Sequence, residues 1–383
     1  MLPFGYALRN LMRDPMRLLQ AVLGSGLVVL MVMIAAAINN GMTGVLSASG
    51  SEQNVILLGA GSEESVLRSE ISERTAGIVE SSITGLEETA GVRAVSPEIH
   101  QMTFISVDSG DRKQAFVRGV TPQALMVHQE TSVQAGRYLR PGQVMVGRLA
   151  WRRLGLPEEA LQPGKEIRIE DSTMTIAGIF SAPGTVMESE IWMDINDLRS
   201  MSQREHLSCV VVRLGDGEFE DIDLFTKQRL DLELGALRES DYFAKIAAFY
   251  APIRGMTWVT ALLIATGALL GGLNTLYAAF APRIREIATL QAIGYGRRAI
   301  MFSLIQESTI AALSGALLAS FAAIGFLDGI AVSFSIGSFI LRVSPSVAAA
   351  GLIAGLGLGL VGAIPPGLRC LLPPLPSALR SAG

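Results

Sequence analysis

Three histidines, His100, His128 and His206, are where chemistry would be looked for first, because imidazole is both a metal ligand and a general base. They are widely separated and none belongs to an HExxH pair, so zinc-protease chemistry is unsupported. No G-x-S-x-G turn presents a nucleophilic serine. Gly59-Ala60-Gly61 lacks the rest of a dinucleotide fingerprint and reads as a turn after a strand. A P-loop needs lysine followed by serine or threonine, so that ammonium and hydroxyl reach phosphate and Mg²⁺. The four lysines, Lys113, Lys165, Lys227 and Lys245, precede Gln, Glu, Gln and Ile. The reading is of a chain that is not an enzyme, with no catalytic residue, metal ligand or cofactor of its own.

The composition shifts attention to the membrane. Half of the 383 residues are hydrophobic, 17% are charged and the mean hydropathy is +0.41, too apolar for a single soluble globule. Crossing a bilayer takes about 20 apolar residues, and four stretches are long enough: Leu18–Ile38, Met256–Ala281, Ala299–Phe326 and Val347–Leu368. Only the third carries a charge, Glu307. A signal peptide would also place basic residues before an apolar run, but the first run is long and no small-x-small cleavage site follows a short core.

Charge sets an expected topology. Arg9, Arg13 and Arg17 precede the first stretch, Arg283, Arg285, Arg297 and Arg298 lie between the second and third, and Arg369 and Arg380 follow the fourth. Basic residues favour the cytoplasmic side, which puts both termini there and the long intervening segment outside. Residues 41–250 hold 20 of the basic and 31 of the acidic residues, a balance of −11, against +7 for the remainder. On this topology Cys209 and Cys370 lie on opposite sides and do not pair, so an oxidising compartment is tolerated rather than used.

The expected fold is a membrane protein with four transmembrane α-helices in a 1+3 arrangement and a large α+β extracytoplasmic domain between the first and second. Its segments are 1–40 (an amphipathic N-terminal helix over 3–17 and the first span) and 41–250 (the outer domain), then 251–282 (the second span with its stalk) and 283–298 (a cytoplasmic loop). The third span at 299–327, an outer loop at 328–346, the fourth span at 347–368 and a tail at 369–383 complete it. Within the outer domain, alternation predicts strands over Val55–Leu58, His100–Val107, Gln114–Val120, Gln143–Val146, Glu166–Glu170, Thr173–Phe180 and Leu207–Leu214. Helices are predicted at Ser65–Ser81, Arg148–Leu154 and Asp221–Leu234, and a stalk or plain connector at Asp241–Ile253.

The loop carries the most information. In Arg283–Arg298, Ile284, Ile287 and Leu290 recur every three residues, crowding one side of a short helix that Gly294 would end. Charged ends around an apolar middle suit either a peg for a partner's groove or an amphipathic helix resting on lipid headgroups.

This segment resembles the R-x-R-E-I-x-x-L-x-A-x-G coupling element of the MacB/FtsX-type ABC permeases, which include lipoprotein-releasing and DevC-like subunits. Tyr6-Ala7-Leu8-Arg9-Asn10-Leu11 is similar to that family's opening, and Gly136-Arg137-Tyr138-Leu139, Val146-Gly147, Gly178-Ile179-Phe180 and Glu190-Ile191-Trp192 to its outer core domain. Gln306-Glu307-Ser308 resembles an E-S pair in the third span, and Pro376-Ser377-Ala378-Leu379-Arg380 the closing P-x-x-A-L-R.

The resemblance implies a permease subunit in a bacterial inner membrane, working as a homodimer with a separate cytoplasmic ATPase that binds ATP and Mg. Export or extraction of a lipid, lipoprotein or hydrophobic compound by mechanotransmission is one outcome; FtsX-like signalling to a cell-wall hydrolase is the alternative. Membrane lipids and a periplasmic adaptor are the other partners it allows, and no nucleic acid is expected. It makes Arg283, Arg285, Glu286, Ile287, Leu290, Ile293, Gly294, Tyr295 and Arg297 the candidate ATPase contact. Glu307 is expected to pair with Arg285 or a neighbouring helix's backbone, since an unpaired carboxylate in a span is costly; a proton-relay role is its alternative. Gly267-x-x-x-Gly271 and Gly351-x-x-x-Gly355 permit close helix approach, within the chain or between copies.

Overall fold

The computed structural model describes residues 4–107, 110–280, 283–334 and 337–374; Pro282 and the closing motif at 376–380 lie outside these residues. The first elements in chain order are α1 (Phe4–Met12), α2 (Pro15–Ser49), β1 (Asn54–Gly59), α3 (Arg74–Ser82), β2 (Glu88–Thr89), β3 (Val92–Arg93), β4 (Val95–Ser106) and β5 (Lys113–Val120). They continue with α4 (Ala124–Val127), β6 (Ser132–Gly136), β7 (Gln143–Gly147), α5 (Ala150–Leu154), β8 (Glu166–Ile169), β9 (Ser172–Ser181), β10 (Ile191–Asp194), α6 (Ile195–Ser202) and β11 (Cys209–Arg213). The last are α7 (Phe219–Gln228), β12 (Leu234–Arg238), α8 (Glu239–Phe249), α9 (Ala251–Phe280), α10 (Ile284–Ala292), α11 (Arg297–Phe326), β13 (Ala331–Phe334), β14 (Gly337–Ile340) and α12 (Pro345–Leu371). They form two compact units, one of residues 1–40, 252–330 and 341–383, the other of 41–251 and 331–340.

The first unit is helical. Four helices are long and apolar enough to cross a membrane, over Leu18–Ser49, Ala251–Leu273, Arg297–Phe326 and Pro345–Leu371, in agreement with the four apolar stretches. The expected single helix over 3–17 is instead α1 and the start of α2, because Pro15 disfavours helical backbone at the residue before it. Small residues bring α2, α11 and α12 together. A Cβ added at Gly315 would lie 2.5 Å from the Val22 carbonyl oxygen, and one at Gly355 would lie 2.7 Å from the Ala316 Cβ. The Gly351/Gly355 repeat therefore packs within the chain. At Gly267 and Gly271 on α9 a Cβ would meet open space, and only 6% of that span is covered, against 39% of the first.

The second unit is built on a ten-stranded mixed sheet in the order β12-β1-β11-β4-β5-β10-β7-β9-β6, with β8 bridging β4 and β9. Most pairs are antiparallel; β5–β10 and β7–β9 are parallel. Strand β4 joins two halves of the sheet, pairing with β11 through Val95–Glu98 and with β5 through Ile99–Ile105. Its apolar face packs on a core that includes Val55, Val79, Ile99, Val117, Ile167 and Val210. All seven predicted strands are present. The helix expected over Ser65–Ser81 shrinks to α3, because Ile71 is drawn into an extended bridge with Leu207. The helix expected over Asp221–Leu234 runs from Phe219 to Gln228, started by a capping box between Glu218 and Asp221, and Leu234 opens the edge strand β12. In the stalk, α8 stops at Tyr250 and α9 takes over with Pro252 in its first turn, where proline is tolerated.

The segment read as an outer loop over 328–346 contains the hairpin β13–β14, which belongs to this unit. Phe339 is 2% exposed and its ring fills the space above Gly41, while Phe334 meets Tyr250 edge-on at 5.6 Å between ring centroids. One aromatic cluster thus gathers the C-terminal part of α2, the exit of α8 and the hairpin that connects α11 to α12.

Candidate functional site: the loop between the second and third spans

Residues 283–298 form the predicted short helix, α10, and its ends explain its bounds. Arg283 is the N-cap residue. At the other end the Gly294 N–H donates to the Gln291 carbonyl and the Tyr295 N–H to the Leu290 carbonyl, each at 3.0 Å. Gly294 sits at φ +109°, which favours glycine, so the motif is a Schellman cap. Tyr295 and Leu290, which such a cap brings together, pack on one apolar cluster.

That cluster fixes what the loop is attached to. Ile287, 3% exposed, joins Ile300 and Leu304 of α11 and Cys370 and Leu371 of α12, with Ile284, Leu290, Tyr295 and Tyr6 around them. Ile287 is therefore an anchor of α10 on its own chain, and Leu290 and Tyr295 are half-buried with it. Glu286, Arg285, Gly294 and Arg297 are exposed, as is Ile293 at 70%. Among the candidate contact residues, these five are the exposed ones.

The charge expected to partner Glu307 is corrected. Arg285 points outward; Arg283 Nη1 instead donates to both Glu307 oxygens at 3.0 Å, with both side chains largely buried. Arg283 also lies 3.7 Å from Glu286, and Glu286 reaches the exposed Arg13 at 3.3 Å. The exposed pair contributes little, whereas the buried one removes the cost of a lone carboxylate among apolar helices.

A second polar constellation lies in the sheet unit, at residues without a sequence motif of their own. Glu98 and His100 occupy alternate positions on one face of β4, and β-register sets Arg118 beside His100 and Trp192 beside Arg118. Glu98 accepts from Ser96 Oγ at 3.0 Å and from His128 Nε2, His100 Nε2 and Arg118 Nη1 at 2.8 Å each. Arg118 closes a two-bond fork on Glu190, also 2.8 Å, and Trp192 Nε1 donates to the same carboxylate at 3.0 Å. Burial pushes the Glu98 and Glu190 carboxyls up, but Arg118 and their hydrogen bonds outweigh it and hold both below the usual range. Burial and the Arg118 charge hold His100 down. At Glu239 burial prevails and raises the carboxyl. The sequence signal was the Ser96, Glu98, His100 alternation and an arginine inside the apolar strand Ala115–Val120.

Two family models match the chain. Residues 19–222 match the MacB-like periplasmic core domain, and residues 258–371 match the FtsX-like permease C-terminal. The chain belongs to the MacB/FtsX-type family of ABC permeases. It is accordingly a multi-pass membrane protein and the permease subunit of an ABC transporter, a class that is not itself enzymatic and works with a cytoplasmic ATPase; the sheet unit is its periplasmic domain.

No curated protein matches the chain. Among solved structures, the periplasmic region of MacB from Actinobacillus actinomycetemcomitans aligns at 12% identity and a TM-score of 0.40, covering 52% of this chain and 94% of that one. The extracellular domain of the noncanonic ABC-type transporter YknZ from Gram-positive bacteria aligns at 12% identity and 0.37, covering 48% and 99%. A domain of a permease protein from Porphyromonas gingivalis aligns at 17% identity and 0.35, covering 48% and 88%.

Proposed function

We propose that the 283–298 loop receives the movement of a separate ATPase, which binds ATP and Mg, and passes it to the periplasmic domain to export or extract an amphipathic substrate. The observation that carries this reading is the attachment of α10. Ile287, Leu290 and Tyr295 share one cluster with α11 and α12, and Arg283 is clamped to Glu307, so a push on Arg285, Glu286 or Ile293 reaches both helices. The 331–340 hairpin between those helices belongs to the periplasmic domain's fold, which supports mechanical transmission.

The arginine bias supports an inner-membrane orientation with both termini cytoplasmic. The uncovered face of α9, with Gly267, supports association with a second copy of the permease. A cavity of about 320 Å³ in the helical unit supports the substrate class: Leu18, Leu27 and Leu269 supply apolar wall, while Asn10, Asp14 and Glu307 make one region polar. Copurification with the ATPase, reconstitution, and mass spectrometry of what is bound test the reading. A lipid or lipoprotein is the expected outcome; a cell-wall hydrolase bound in its place would move the protein to the signalling class.

A further inference from the structure

His128 is fully buried, and its two ring nitrogens have different surroundings. Nε2 is engaged with Glu98 Oε1 at 2.8 Å. Glu98 already accepts from Ser96, His100 and Arg118, so with His128 its four lone-pair positions are filled and it acts purely as an acceptor. Nε2 therefore carries the proton, and in the neutral imidazole Nδ1 is left with a lone pair. Nδ1 has no hydrogen-bond partner among the described residues.

What faces Nδ1 is another acceptor. Glu239 Oε1 lies 3.8 Å away. The other oxygen, Oε2, accepts from Asn54 Nδ2 at 2.9 Å and from the Ser51 N–H at 3.2 Å, which orients the carboxylate with Oε1 toward the ring. The half-buried Glu130 adds a third: one atom from each of His128, Glu130 and Glu239 lies within 4.8 Å of the other two. Burial raises the Glu239 carboxyl, and at His128 burial is outweighed by Glu98 and Glu239, which raise the imidazole, so a proton is held in this group. Across 3.8 Å that proton makes no hydrogen bond, whereas a cation reaches all three side chains.

We propose that His128, Glu130 and Glu239 hold a divalent transition-metal ion, Zn²⁺ first among them, with water completing the coordination. One imidazole nitrogen with two carboxylate oxygens suits Zn²⁺ better than Mg²⁺ or Ca²⁺, which favour all-oxygen shells. Bonds of about 2.0–2.2 Å in a tetrahedron set ligand atoms roughly 3.4 Å apart, a contraction from 3.8 Å for His128 and Glu239 and from within 4.8 Å for the three together. The second layer is already built: Glu98 fixes the tautomer and orientation of His128, and Asn54 and Ser51 fix Glu239. The neighbouring set Glu98, His100 and Cys209 is no rival, because Glu98 has no oxygen lone pair to spare. The metal ties the segment after α4 to the first residue of α8, the helix that leads toward the second span. The inference holds whatever the permease transports.

The test uses the full chain in detergent, stripped with EDTA and then titrated with Zn²⁺ alone. Bound metal is measured by elemental mass spectrometry and affinity by competition with a chromogenic chelator. The expected result is about one Zn²⁺ per chain, and affinity at least about tenfold weaker in Glu130→Gln. The metal-free variant should keep the wild-type circular dichroism and melting curve. X-ray absorption of the bound zinc should give a nitrogen and oxygen shell without sulfur. Wild-type affinity in a folded Glu130→Gln chain, sulfur in the shell, or no bound zinc in the wild type would overturn the assignment.

Discussion

Arg283 Nη1 lies 3.0 Å from both carboxylate oxygens of Glu307, a pair that joins the residue opening the loop helix to one buried in the third span. The pair neutralises the only charge in that apolar stretch and holds α10 at a fixed place on α11. Removing one partner of a buried pair typically costs about 3–5 kcal/mol, while replacing both with apolar groups is often close to neutral. Arg283→Ala should therefore lower the melting temperature in detergent sharply, and Arg283→Met with Glu307→Met should recover most of it. Equal melting of the wild type and Arg283→Ala would mean that the pair does not hold the loop.

The periplasmic network makes an acid-sensitive domain. Glu98 and Glu190 have folded-state carboxyls below the usual value of 4.5. A depressed carboxyl contributes stability that is present above the unfolded value and is lost as pH falls through the folded one. His100, held down, acts in the same direction: its contribution is present above 6.5 and lost as pH falls through its folded value. His128 and Glu239, both raised, act the other way: their contributions are present below 6.5 and 4.5 and are lost as pH rises through their folded values, which offsets His100. Melting of the full chain should therefore weaken chiefly below about 4.5, with a shallower acid limb in Glu190→Gln. A melting temperature independent of pH from neutrality to that range would contradict the assignment of charges.

Orientation is checked by labelling. Asp171→Cys, at a highly exposed position of the periplasmic domain, should react with an impermeant thiol reagent in intact spheroplasts, and Ile293→Cys should not. Burial pushes the Cys209 thiol well up, so the native cysteine should stay unlabelled in the folded chain. Equal labelling at positions 171 and 293 would place the domain and the loop on one side.

The spans and the loop helix were legible in the sequence because each depends on local pattern: apolar length for the helices, and a period of three ended by glycine for α10. The seven strands read for the same reason. What the sequence hid depends on residues distant in the chain. Arg283 and Arg285 are equally basic, and only helix geometry decides that the first meets Glu307. Ile287 has the chemistry of a partner-facing peg but is consumed by Ile300 and Leu371. The 331–340 hairpin reads as a loop because its membership in the periplasmic domain rests on Phe339 above Gly41 and Phe334 against Tyr250. The histidines lack an HExxH spacing, yet Glu98, 30 residues before His128, shares a hydrogen bond with it.

The exposed face of α10 tests the central claim most directly. Ile293 lies on the face that packing within the chain leaves open. If this face enters an apolar groove on the ATPase, as proposed, Ile293→Asp puts an unpaired charge into that contact, while an exposed surface change by itself alters stability by no more than about 0.5 kcal/mol. Copurification of the permease–ATPase complex and its ATP turnover in proteoliposomes should be measured for wild type, Ile293→Asp and the control Asp171→Asn. The account predicts a normally folded Ile293→Asp permease that loses the ATPase or uncouples its turnover from transport, with the control unchanged. Normal assembly and transport in Ile293→Asp would contradict the claim that this loop receives the ATPase's movement.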